Sequence, residues 1–77
     1  MLEKIKLIMA DIFSVATTDF SMDTTMDDVP VWDSLKHMEL IGALEEEFTI
    51  TFSADEIVSL TGLGKIVEVV QKLIKEA

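Results

Sequence analysis

Ser34 and His37 stand three residues apart in Trp32-Asp33-Ser34-Leu35-Lys36-His37, a spacing that puts both on one face of a helix and invites a nucleophile and its base. Acyl transfer at such a pair would also need an orienting carboxylate, an oxyanion hole and a concave site. The chain holds one histidine, no cysteine and no glycine-rich elbow, so His37 reads as a surface or rim residue and no hydrolase is expected. Asp19, Asp23, Asp27 and Asp28 lack the central glycine and closing glutamate of a calcium loop, so no dedicated metal site is expected either. Gly62 and Gly64 come without the lysine and threonine of a phosphate-binding loop. No enzyme reading remains.

The chemistry left to Ser34 is that of a hydroxyl at the start of a helix. Asp or Ser in that place commonly caps a free backbone N–H, contributing about 1 kcal/mol, and one of Asp33 and Ser34 is enough for it. Alternatively the hydroxyl could carry a phosphodiester, because a helix N-terminus offers an anion unpaired N–H groups and a positive dipole end. The residues alone leave the cap and the attachment point both open.

Four helices must position that serine. In residues 2–16 the apolar Ile5, Ile8, Met9, Ile12, Phe13 and Ala16 keep helical spacing. From Thr17 to Asp33 the periodicity stops and Thr, Ser and Asp gather around Val29-Pro30, which predicts a long loop. Loops of this length in compact domains tend to be functional or disordered. Phe20, Met22, Met26 and Val29 give this one apolar pegs, so an ordered loop is expected. Residues 34–48 resume the helical pattern with Leu40, Ile41, Leu44 and Phe48 as the core stripe, flanked by Leu35 and Met38, and the β-branched Thr49-Ile50-Thr51 ends it. Ser53 with Glu56 has the form of a capping box opening a short third helix to about Leu60. Leu63, Ile66, Val67, Val70, Leu73 and Ile74 lay an apolar face along a fourth, with Lys72 and Lys75 in its last turns. The expected fold is all-α, a small four-helix bundle with three long helices, a short third helix and a long loop between the first two.

Seventy-seven residues predict one domain, spanning 1–77, with little stability to spare. No apolar run reaches the roughly 18 residues of a spanning helix, and the N-terminus has no signal-peptide pattern, which predicts a cytoplasmic protein without a membrane partner. Fifteen acidic against six basic residues give a formal charge of -9, which opposes nucleic acid and anionic lipid and favours basic protein surfaces.

The stretch Trp32-Asp33-Ser34-Leu35-Lys36-His37-Met38-Glu39-Leu40, continued to Glu45-Glu46-Glu47-Phe48, resembles the acyl carrier proteins. Their signature is Asp-Ser-Leu at the start of the second helix, a glutamate five residues after the serine and an acidic helix end. Length, acidity, helix order, long first loop and short third helix extend the resemblance over the whole chain. It implies that Ser34 accepts 4'-phosphopantetheine, covalently, from coenzyme A through a phosphopantetheinyl transferase. The arm would then hold acyl groups as thioesters and pass them between enzymes of fatty-acid, polyketide or related lipid biosynthesis. It also implies that Asp33, Leu35, Met38, Glu39, Glu45 and Glu46 meet basic docking surfaces on acyl-ligase or synthase-type partners, with the carrier a monomer. The three glutamates oppose the helix dipole, so partner recognition rather than stability is expected to account for them.

Trp32, Lys36, His37 and Gly42 depart from housekeeping fatty-acid carriers, which suggests a specialised free-standing member. Two alternatives stay open on the residues: an aminoacyl or peptidyl carrier, and an unmodified acidic helical adaptor that binds a basic protein. Leu40, Ile41, Leu44, Ile57, Val67 and Val70 either part to admit an acyl chain or are simply core.

Overall fold

A computed structural model describes residues 1–76. The chain folds as α1 (Leu2–Phe13), α2 (Ser34–Phe48), α3 (Ala54–Ser59) and α4 (Leu63–Glu76), an all-helical bundle in the expected order. Lys4 Nζ near the start of α1 lies 3.7 Å from Glu47 near the end of α2, while Phe13 at the end of α1 packs on Trp32 just before α2. These contacts run the two helices antiparallel and bring the C-terminal end of α1 to the N-terminal end of α2.

The α2 and α3 spans agree with the sequence reading, but α1 stops short of the expected Ala16. Ser14 turns left-handed at φ 57°, and the Val15 N–H closes onto the Ala10 carbonyl at 3.1 Å. Thr49 ends α2 in the same way, with φ 54° and Ile50 N–H on Glu45 O at 3.1 Å. This six-to-one closure satisfies the last free carbonyls of a helix. In neither case does a glycine mark the place in the sequence.

The loop between α1 and α2 is ordered. Two short 3-10 turns, Thr17–Asp19 and Met26–Asp28, shape it, and Phe20 and Val29 are buried with Met26 partly so. Met22, expected as a fourth peg, is exposed. The loop is fastened instead through its backbone to the start of α4: Leu63 N–H donates to Thr24 O at 2.9 Å, and Met26 N–H to Thr61 O at 2.8 Å. A Cβ at Gly62 would come within 2.8 Å of Thr24 O, so the glycine is what lets the two backbones meet.

Ile5, Met9, Leu40, Leu44, Leu60, Leu63, Ile66 and Val70 form the fully buried centre. Val69 joins the core although the expected α4 stripe omitted it, and Ile74, which the stripe included, is exposed in the last turn of α4. Trp32 is also core. No described helix is long and apolar enough to cross a membrane.

Candidate functional site

The N-terminus of α2 is built by Asp33. Its Oδ1 accepts the Lys36 N–H at 2.9 Å, and its carbonyl accepts the His37 N–H at 2.8 Å. Asp33 is therefore the cap, and the cap leaves the Ser34 hydroxyl free of that duty. Ser34 is exposed and occupies the first position of the helix, where it and Leu35 keep the unpaired N–H groups of the first turn. An anion on the hydroxyl would lie at the positive end of a fifteen-residue helix.

Trp32 and His37 fix this helix start to the rest of the molecule. The buried indole Nε1 donates to His37 Nδ1 at 2.9 Å, and His37 Nε2 meets the Ile57 carbonyl of α3 at 2.8 Å. An acceptor role at Nδ1 requires the proton on Nε2, so the ring is the neutral Nε2–H tautomer and donates to Ile57 O. His37 is thus half-buried and bridges loop, α2 and α3. The expectation of a simple surface or rim residue missed this, because its two partners lie on either side of it in the chain. The bridge also rules out His37 as a base for Ser34, since both ring nitrogens are already engaged.

Leu35 and Met38 are 71% and 55% exposed, and Glu39 and Glu46 are exposed as well. Lys36 Nζ stands 3.4 Å from Glu39 and partly neutralises it. Val58, 74% exposed, follows the Ile57 that His37 holds, so α3 adds an apolar residue at this end which the sequence reading did not single out. Its signal was the Ile57-Val58 pair in a short helix, one side chain turned inward and the other outward.

Glu45 differs from the other candidates. It is half-buried, and its Oε2 accepts the Phe52 N–H at 2.9 Å, tying the link after α2 to the helix. This gives Glu45 a structural role that the sequence reading did not assign it, whereas the Lys4–Glu47 pair is solvent-exposed and adds little to stability. Glu56 closes the α3 capping box: its carboxylate accepts the Ser53 N–H at 2.8 Å, and Ser53 Oγ accepts the Glu56 N–H at 3.2 Å. The hydrogen bond from the Ser53 backbone is the main reason that the Glu56 carboxyl is held below the ordinary 4.5, with smaller help from the Ser53 side chain and Lys72. Among the described residues no three His, Cys, Asp or Glu side chains gather as a metal-holding group.

Residues 3–70 match the family model described as a phosphopantetheine attachment site. The chain belongs to the acyl carrier protein family. It is 36% identical over 69 residues to the acyl carrier protein of Clostridium acetobutylicum, covering 90% of each chain. To acyl carrier proteins of Clostridium perfringens it is 37% identical over 68 residues, 88% of this chain and 90% of theirs. Its fold is similar to the solution structure of a holo acyl carrier protein from Geobacter metallireducens, with a TM-score of 0.87 and 29% identity over 97% of this chain and 86% of that one. The carrier holds 4'-phosphopantetheine covalently and bears acyl groups on it. An exposed hydroxyl at a capped helix start fits that group, as does the absence of a second use for the serine in the cap. Carriers of this family are themselves non-catalytic and meet phosphopantetheinyl transferases and synthase-type enzymes.

Proposed function

We propose that Ser34 is the attachment residue, that residues 1–77 act as a single carrier domain, and that the chain performs no bond chemistry of its own. The observation carrying this reading is that Asp33 alone caps α2, leaving an exposed serine hydroxyl at the helix N-terminus. Ser34 then supplies the anchoring oxygen. The first-turn N–H groups stabilise the phosphodiester's charge, and the rigid helix end presents the arm to a docked enzyme. The arm supplies the thiol that this cysteine-free chain lacks, and tethering raises the local concentration of cargo at a partner's site.

Asp33, Leu35, Met38, Glu39 and Glu46 form the surface that meets a phosphopantetheinyl transferase and acyl-ligase or synthase-type partners. The exposed Leu35 and Met38 supply apolar anchors, and the acidic residues steer basic patches toward them without tight binding. Glu45 contributes charge to this surface while its carboxylate holds Phe52. The protein works as a cytoplasmic monomer.

The test is incubation with coenzyme A and a broad transferase, read by intact mass. The native chain is expected to gain one phosphopantetheine and Ser34→Ala none; no gain on either would leave an unmodified acidic adaptor. With Glu39→Lys and Glu46→Lys, transferase turnover should fall about fivefold at low ionic strength, and the deficit should shrink as salt screens the attraction. Unchanged turnover at every salt concentration would remove the electrostatic part.

A further inference from the structure

Between Lys6 and Lys36 the chain carries no cation, while Asp11, Asp19, Asp23, Asp27, Asp28 and Asp33 all fall within that stretch. All six are exposed, and all but Asp11 belong to the loop or its junction with α2. The ion pairs among the described residues lie elsewhere: Lys4–Glu47, Lys36–Glu39, Lys65–Glu68 and Lys72–Glu56. Lysines therefore answer two of the α2 glutamates and none of the loop aspartates, which leaves the loop an uncompensated negative surface for a basic partner.

The same surface holds an apolar depression. It is open-sided, about 680 Å³, and lies between the end of α1 and the loop, with the buried Phe13, Phe20 and Val29, the half-buried Val15 and the exposed Val31 among its walls. Asp19 and Asp28 share the lining, and Asp28 uses one of its two carboxylate oxygens on the Thr25 N–H at 3.0 Å. The bonds from Leu63 N–H to Thr24 O and from Met26 N–H to Thr61 O already hold the loop in place, so an occupant pays little to order it. An apolar hollow edged by carboxylates fits an apolar side chain flanked by lysine or arginine, the anchor and charged rim of a protein interface.

Val31 precedes Ser34 by three residues, so their Cα atoms are no more than about 11 Å apart even in a fully extended chain. An enzyme that acts on the Ser34 hydroxyl covers about 800 Å² of its partner in a standard interface, a disc of roughly 16 Å radius that reaches this wall. We infer that the loop-side depression is a second docking site for the phosphopantetheinyl transferase, receiving an apolar side chain that the enzyme presents between basic residues while α2 is engaged alongside. The inference rests on Ser34 as the attachment residue. It makes the loop, and not α2 alone, a determinant of which transferase accepts this chain.

The experiment measures steady-state transfer from coenzyme A to the full chain by the broad transferase, with KM and kcat for the carrier taken separately. Asp19→Lys should raise KM about fourfold at low ionic strength with kcat unchanged, and the deficit should shrink as salt is added. Glu3→Lys makes the same charge change on an exposed residue at the far end of α1 and should raise KM less than about 1.5-fold. Val31→Ser removes the exposed apolar wall and should raise KM about threefold at every salt concentration, because an apolar contact is not screened. Carbon-13 methyl NMR of the native chain, titrated with the transferase in the absence of coenzyme A, should show Val15, Val29 and Val31 shifting together with Leu35 and Met38. Equal KM for Asp19→Lys and Glu3→Lys, or methyl shifts confined to Leu35 and Met38, would overturn the loop-side site alone. Sedimentation showing a dimer of the native chain that Val31→Ser abolishes would give the depression to a second copy and overturn it as well. A native chain that gains no arm overturns the attachment reading and this one with it.

Discussion

Replacing His37 with Ala removes the bridge that joins the loop, α2 and α3, and the structure sets the size of the effect. The Trp32 indole sits 4% exposed, so its N–H loses its partner where water hardly reaches, which costs about 1–3 kcal/mol. The Ile57 carbonyl is only half-buried and can turn to water, so its lost bond costs about 0.5–1 kcal/mol. The sum is about 1.5–4 kcal/mol, against a total stability of about 4–12 kcal/mol for a chain of this length. At roughly 4–8 °C per kcal/mol for a domain of this size, the thermal midpoint should fall by about 6–32 °C. His37→Gln carries an acceptor and a donor on one amide and should restore more than half of the loss. Thermal and urea unfolding followed by circular dichroism give the values, and Trp32→Phe completes a double-mutant cycle, because it removes the indole donor and keeps an aromatic ring. A coupling energy of about 1 kcal/mol or more between positions 32 and 37 is expected. A loss at His37→Ala below about 0.5 kcal/mol, the size of an ordinary surface change, or strictly additive single variants, would refute the bridge.

Further outcomes follow from the backbone and from Glu56. Gly42 lies exposed inside α2 with nothing within 4 Å of a Cβ, so Gly42→Ala should stabilise by about 0.5–1 kcal/mol, whereas Gly62→Ala, aimed at Thr24 O, should lower the urea midpoint and loosen the loop. Equal effects of the two would contradict the close approach at Gly62. Because the Glu56 carboxyl is held below 4.5 in the folded chain, its contribution is complete above the unfolded value and disappears as pH falls through the lowered one. Glu56→Gln should therefore weaken stability near neutral pH and flatten its decline on acidification below about 4.5, measured by urea unfolding across that range.

What the sequence made legible was local. The Ser53–Glu56 capping box and the apolar stripe of α2 rest on partners three or four residues apart, and spacing alone exposes them. Contacts between distant segments were not visible in that way. The backbone pairing of Thr24 and Thr25 with the start of α4 turns on Gly62, which in the sequence reads only as an interruption. His37 looked like a rim residue because one nitrogen answers a tryptophan before it and the other a carbonyl in a later helix. Glu45 looked like surface charge because the amide it holds, that of Phe52, lies beyond the helix end. The end of α1 was set too late because Ser14 adopts a left-handed turn without the glycine that usually announces one. Ser34 itself was legible as either cap or anchor, and geometry separated the two roles by giving the cap to Asp33.

The most direct measurement of the central claim is proteolysis of the transferase-treated protein followed by tandem mass spectrometry that maps the added group to a residue. The phosphopantetheine should lie on the peptide containing Ser34 and fragment to that side chain alone. Its appearance on Ser14, Ser21, Ser53 or Ser59, with Ser34 unmodified, would contradict the account.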